Sequence, residues 1–139
     1  MNSFVLDASV ALAWLIDAAI GPYAMHVRQL LQRGSRAIVP ALWQWEVANG
    51  FVIAERRGLL TPSDTAEILQ SFEAMLGHSI EVKHESISAQ RVIVIAREFH
   101  ITAYDAAYLA LAREQKLPLA TLDRGLAEAA KQAKVSLLH

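Results

Sequence analysis

The sequence predicts an α/β sandwich built on a short, largely parallel sheet, and three observations carry that prediction. Short β-branched runs alternate with longer stretches of helical periodicity along the 139 residues, as they do where strands are joined by right-handed helical crossovers. Hydrophobic residues make up 54% of the chain and charged residues 19%. That composition supports a sizeable core and lies outside the range of disordered chains. No Ser/Gly-rich linker and no internal repeat interrupts the pattern, so residues 1–139 read as one domain.

Each element has its own signal. Ser3–Leu6 (SFVL) is the first strand, followed by a helix from about Ala8 to Asp17. Gly21-Pro22 opens a second helix that runs to Gly34. Arg36–Val39 (RAIV) is the second strand, and Pro40 starts a long helix ending near Gly58. Thr61-Pro62-Ser63-Asp64 combines an N-cap, a proline at the first helical position and a capping-box acid, and begins a helix to Gly77. Ile80–His84 alternates and predicts a third strand. Ser88 to His100 and Thr102 to Lys116 predict two helices. Leu117–Thr121 is a strand, Asp123 to about Lys134 the seventh helix, and Val135–Leu138 a last strand.

Several classes are excluded early. The chain has no cysteine, which removes disulfides, thiolate metal sites and cysteine nucleophiles. The apolar N-terminal run has no basic start, and Asp7 interrupts it where a signal peptide would have its apolar centre. Between Asp7 and Asp17 it is too short to span a bilayer, and a central Asp would cost about 2.5–3.5 kcal/mol. A soluble, cytoplasmic protein is expected, with the apolar excess finding its outlet in a homo-oligomer interface. The five histidines show no HxxxH or HExxH spacing, and GxxxxGK[ST], GxGxxG and GxSxG are absent. P-loop NTPases, Rossmann oxidoreductases and serine hydrolases are thereby set aside. Thirteen basic against 14 acidic residues give a net charge of −1, which argues against nucleic-acid binding by bulk basicity.

Four carboxylates carry the chemistry. In an open parallel sheet, ligands bind beyond the carboxyl ends of the strands. Asp7 directly follows the strand FVL, Asp123 follows LATL, and Asp105 lies in the first turn of the helix TAYDAAYLALA. Glu46 lies one to two turns into the helix after RAIV, among Trp43, Trp45, Val47 and Ala48. That helix is apolar nearly all round and is expected to be deeply buried, so Glu46 needs a partner. Taken singly, Asp7 and Asp123 also read as helix N-caps, Asp105 as part of a capping box with Thr102, and Glu46 as one half of an ion pair with an arginine. Taken together at one end of a small sheet, they would repel one another unless a cation neutralised them. Oxygen ligands without cysteine or paired histidines favour Mg²⁺ or Mn²⁺ over Zn²⁺. Such a pocket suits phosphoryl chemistry, in which metal binds a phosphodiester and activates water.

Val5-Leu6-Asp7-Ala8-Ser9, the run Trp45-Glu46-Val47-Ala48-Asn49, Tyr104-Asp105-Ala106-Ala107-Tyr108-Leu109-Ala110-Leu111-Ala112 and Ala120-Thr121-Leu122-Asp123 occur in this order. Together they resemble the signature blocks of PIN-domain ribonucleases, most closely the VapC-type toxins of toxin–antitoxin pairs, over essentially the whole chain. The resemblance implies a PIN-like three-layer α/β sandwich with about seven helices and a Mg²⁺- or Mn²⁺-dependent endoribonuclease activity. It also implies a homodimer and inhibition by a cognate antitoxin whose C-terminal segment blocks the site. By position it makes Asp7, Glu46, Asp105 and Asp123 the metal-binding, catalytic acids, with Ser9, Asn49 and Thr121 in supporting polar positions. Some members carry one more acid after the fourth; here Arg124 and Gly125 follow, a departure from a complete second-ion shell.

Other residues and other protein classes fit the pattern less closely. Arg124, next to Asp123, is the best single candidate for a phosphate contact, whereas Arg56, Arg57, Arg91, Arg97 and Arg113 read as solvated helix positions. Tyr104, Tyr108 and Trp14 read as core or dimer-packing residues before base-stacking ones. An aspartyl-nucleophile phosphatase needs a second acid two residues after the first, where this chain has Ser9. A phospho-acceptor receiver domain resembles the pattern in length and acidity, but it carries adjacent acids after the first strand and a late lysine, neither present here. A structure-specific DNA nuclease and a non-catalytic PIN-like binding protein complete the alternatives. Committing four acids to one pocket leaves 13 basic against ten acidic residues, a balance of +3. Such a mildly basic shell gives modest electrostatic affinity and leaves selectivity to shape.

Overall fold

A computed structural model describes residues 2–84 and 87–139. In chain order the elements are β1 (Ser3–Leu6), α1 (Ala8–Leu15), α2 (Pro22–Gln32), β2 (Arg36–Pro40), α3 (Leu42–Arg56), α4 (Pro62–Leu76), a 3₁₀ turn (Gly77–Ser79), β3 (Ile80–Lys83), α5 (Ala89–Phe99), α6 (Ala103–Gln115), β4 (Leu119–Ala120) and α7 (Arg124–Gln132). The sheet runs β3-β2-β1-β4, and every pairing is parallel. Val5 pairs with Ile38 on one side and with Leu119 on the other. A parallel sheet covered on both faces needs near-continuous apolar strands, and Phe4, Val5, Leu6, Ala37, Val39 and Leu119 are all buried.

The first three strands step in one direction across the sheet, and the chain then returns past β1 to place β4 on the far edge. Right-handed crossovers therefore put the helices before and after that reversal on opposite faces. The packing agrees: α1 lies against α2, α3 and α4, whereas α6 lies against α5, α7, β1, β2 and β4. The strand order reverses between β1 and β4, so the crevice outside their carboxyl ends is the topological switch point where such folds bind ligands.

Local signals explain the helix starts. Thr61 and Asp64 form the reciprocal capping box, with Thr61 N donating to Asp64 Oδ2 at 2.9 Å and Asp64 N to Thr61 Oγ1 at 3.1 Å. Gly50 permits α3 to lie close on α1, since a Cβ there would run into the Leu12 side chain. That approach carries Glu46 towards the end of β1.

Two expectations are corrected. The predicted last strand, Val135–Leu138, is reduced to one parallel bridge between Leu119 and Leu137, because β4 offers only two residues for pairing. Helix α3 is not deeply buried: Trp43, Val47, Phe51 and Ala54 face the core, but Trp45 is 75% exposed and Val52 and Ile53 are also exposed. Its outer side is apolar surface rather than interior.

Candidate active site

Asp7, Ser9, Glu46, Asn49, Asp105 and Asp123 line one concavity of about 290 Å³ at the switch point. Four separate stretches of chain bring them there. Asp7 is the first residue after β1, and its amide donates to Ala120 O at the end of β4 at 2.9 Å, extending the ladder one residue beyond β1. Asp123 is the N-cap of α7, Asp105 lies in the first turn of α6, and Glu46 projects from α3.

The capping explanations separate once the bonds are known. Asp7 occupies the N-cap position of α1 but makes no side-chain cap. Its Oδ2 instead accepts from Ser9 Oγ at 2.6 Å and Thr121 Oγ1 at 2.8 Å. Those hydroxyls are fixed in turn, Ser9 Oγ accepting from Leu122 N and Thr121 Oγ1 from Asp123 N, each at 3.0 Å. Asp123 does cap α7, through Oδ1 on Leu126 N at 3.0 Å. At Asp105 the capping atom is Thr102 Oγ1, which receives the Asp105 amide at 3.1 Å. Both hydroxyl bonds to Asp7 thus fall on Oδ2 and the cap of α7 on Asp123 Oδ1, while the helix-capping atom beside Asp105 is a hydroxyl rather than its carboxylate.

Glu46 has no arginine partner. The ion pairs among the described residues are Lys83–Glu81 and Arg91–Glu114, both remote from the concavity. Glu46 Oε1 instead accepts from the hydroxyl of Tyr108 at 2.5 Å. Sequence reasoning placed Tyr108 in the core and missed this bond; its signal was the three-residue spacing from Asp105, which puts both on one side of α6.

Burial and crowding set the electrostatics. Asp7 is the one buried charged side chain among the described residues, at 5% exposure. Desolvation pushes its carboxyl above the usual range, opposed by the Ser9 and Thr121 hydroxyls. Glu46 is likewise raised, first by burial and then by the charge of Asp7, while the Tyr108 hydroxyl works against the shift. Asp105 rises to about 6, through burial and then the charges of Asp123, Asp7 and Glu46. Burial, reinforced by Glu46, raises the Tyr108 phenol and keeps it a neutral donor.

No basic side chain lines this concavity, so nothing in its wall offsets the four acids. The donor set is all hard oxygen, the chemistry of Mg²⁺ or Mn²⁺. Among the described residues, no three His, Asp or Glu side chains close into a ready-made cage. An open arrangement of this kind fits Mg²⁺, which keeps several waters and takes only one or two carboxylates directly. Arg124 lies elsewhere: it lines the adjoining depression with Tyr23, Leu122 and His139. Trp14 is a core residue whose Nε1 donates to Ala24 O at 2.6 Å, and Tyr104 is 65% exposed. No helix among the described residues is long and apolar enough to cross a membrane.

An all-parallel α/β fold with acids gathered at its switch point defines a class, and the family comparison specifies it. The PIN domain family matches residues 4–132, and the chain belongs to that family. Ribonuclease VapC3 of Pyrobaculum aerophilum is 38% identical over 89 residues, 60% of this chain and 63% of that protein. The matched stretch thus spans less than two thirds of that relative's length. Among solved structures, PAE2754 from Pyrobaculum aerophilum superposes with a TM-score of 0.68 at 26% identity, covering 92% of this chain and 86% of the other. FitAcB from Neisseria gonorrhoeae shares the fold, with a TM-score of 0.63 at 18% identity over 98% of this chain and 96% of that one.

Proposed function

We propose that the chain is a Mg²⁺- or Mn²⁺-dependent endoribonuclease of the VapC toxin type. The observation that carries this reading is the convergence of Asp7, Glu46, Asp105 and Asp123 on one concavity without a basic side chain in its lining. Membership of the PIN family and the likeness to Ribonuclease VapC3 support it. Asp7 and Asp105 are the principal ligands; Glu46 and Asp123 complete the shell directly or through water. When bound, the ion supplies charge neutralisation at the phosphodiester and acidifies a water molecule. The protein's own groups do the rest. Ser9 and Thr121 both hold Asp7 through the same carboxylate oxygen, Oδ2. Glu46, raised by burial, accepts the proton of the attacking water. Asn49 stands beside it in the wall of the concavity, and Arg124 contacts the chain of phosphates as it leaves the acidic centre.

The same reading includes a homodimer, a cognate antitoxin that blocks the acidic concavity, and a cytoplasmic setting. The exposed Trp45 and Tyr104 are apolar surface of the kind that a protein partner covers. Incubation of purified protein with total RNA, with Mg²⁺ and with EDTA, tests the activity. Cleavage that needs the metal and disappears in Asp7→Asn is expected. Wild-type rates in Asp7→Asn at saturating Mg²⁺ would overturn the proposal.

A further inference from the structure

The geometry points to Tyr108 as a positioning residue for Glu46: a buried phenol that fixes one oxygen of this carboxylate so that the other serves the metal site. The inference rests on the metal-site reading above and adds to it a residue that touches neither metal nor substrate.

Tyr108 is 0% exposed, the largest of the fully buried side chains. A hydroxyl taken out of water is unfavourable unless it is hydrogen-bonded, and Phe would fill the same space without that requirement. The hydroxyl is bonded to Glu46 Oε1 at 2.5 Å, across 62 positions of sequence. This is the one side-chain hydrogen bond made by Glu46 among the described residues, and no cation lies in the lining around it. Glu46 stands on the partly exposed helix α3, whose face turns outward at Trp45. Left alone, a glutamate there would sample several rotamers. Tyr108 stands on α6, packed against β1, β2 and β4, one turn after Asp105. The bond therefore ties a ligand from a surface helix to the helix that carries another ligand. Hydrogen-bonding partners behind metal ligands typically set affinity by about 10–100-fold.

A double-mutant cycle with Tyr108→Phe and Glu46→Gln tests this, read by Mn²⁺ affinity in the absence of RNA and by kcat and KM with RNA. Tyr108→Phe is expected to weaken Mn²⁺ about tenfold and to lower kcat more than it raises KM. Added to Glu46→Gln, it is expected to have no further effect. Equal losses in both backgrounds would assign Tyr108 to packing alone, and wild-type affinity in Tyr108→Phe would overturn the inference while leaving the nuclease reading intact. Unchanged affinity and cleavage in Glu46→Gln would overturn both at this residue. A second measurement does not need Tyr108→Phe to fold. The buried Tyr108 hydroxyl proton is expected as a slowly exchanging, low-field NMR signal that shifts or vanishes in Glu46→Gln. An unaltered spectrum in that region would overturn the inference.

Discussion

The two ends of the sheet carry opposite charge, and the contrast separates helix-end electrostatics from a site. At the carboxyl end Asp7, Glu46, Asp105 and Asp123 line one concavity without a cation. At the amino end Arg113, Lys116 and Lys134 line a cleft of about 550 Å³ without an acid. Helix dipoles explain part of each: acids gather at helix N-termini and cations at C-termini. At the amino end that account suffices, because α6 and α7 both finish there and the three cations are solvent-exposed. It fails at the carboxyl end. Glu46 is mid-helix, Asp7 caps nothing, and Asp105 is raised to about 6 partly by the charges of its three neighbours. Mutual repulsion held at a switch point is stability that the fold gives up, and on the proposed reading it is given up for a metal ion.

The largest expected effects test that statement directly. Asp7→Asn and Asp105→Asn should each lower metal-dependent RNA cleavage by at least about 100-fold, since each removes a charged ligand of the proposed site, while far-UV circular dichroism stays that of the wild type. Stability should move the other way. The Asp105 carboxyl is raised in the folded protein from an ordinary 3.8 to about 6, so the folded state holds this proton more tightly than the unfolded chain. Below pH 3.8 both states are protonated. As pH rises from there to about 6, the unfolded chain ionises first and the folded state loses stability. Thermal melts in EDTA should therefore show a falling contribution over that window that Asp105→Asn abolishes. At pH 7.5 in EDTA, Asp105→Asn should melt above the wild type. A lower melting temperature for Asp105→Asn would show that its carboxylate stabilises the fold, and the contrast between the two ends would collapse.

Next in size are the hydroxyls that hold Asp7. Thr121→Val keeps the shape and removes the 2.8 Å donor to Asp7 and the 3.0 Å acceptor for Asp123 N. One bond lost on each side of this relay should weaken Mn²⁺ by about tenfold, read calorimetrically. Ser9→Ala, which frees Leu122 N as well as Asp7, should do the same. Asn49 lines the concavity without joining this network, and Asn49→Ala should cost less than either.

Much of this was legible in the sequence because the signals were local. Val-Leu-Asp at the end of β1, the Thr61–Asp64 box and Asp105 three residues after Thr102 declare themselves within four residues. What escaped depends on distant partners. The count of apolar residues in α3 could not say which face was covered, and Trp45 turned out exposed. Val135–Leu138 has strand composition but too short a neighbour to pair with. The arginine ion pair offered as the alternative reading of Glu46 rested on charge alone; a phenol 62 positions away bonds to it instead. Side-chain bonds across the fold have no periodicity to betray them.

The smallest effects belong to the amino end, and there the sign of each term is known in advance. Lys116 and Lys134 both close helices in the left-handed conformation, with φ of 57° and 60°, where glycine is the usual residue. Replacing Lys116 by glycine removes a left-handed penalty of about 1–2 kcal/mol. It also adds unfolded-chain freedom worth about 0.5–1 kcal/mol and deletes a cation at a helix C-terminus worth about 0.3–1 kcal/mol. The terms nearly cancel, so Lys116→Gly should unfold within about 0.5 kcal/mol of the wild type. Lys116→Gln keeps the strained backbone and loses only the charge, so it should be the less stable of the two by denaturant titration. Neither should change RNA cleavage by more than about twofold, because the cation answers a helix end rather than a phosphate. A tenfold loss in both variants would mean that RNA reaches this cleft, making the two ends of the sheet parts of one binding surface.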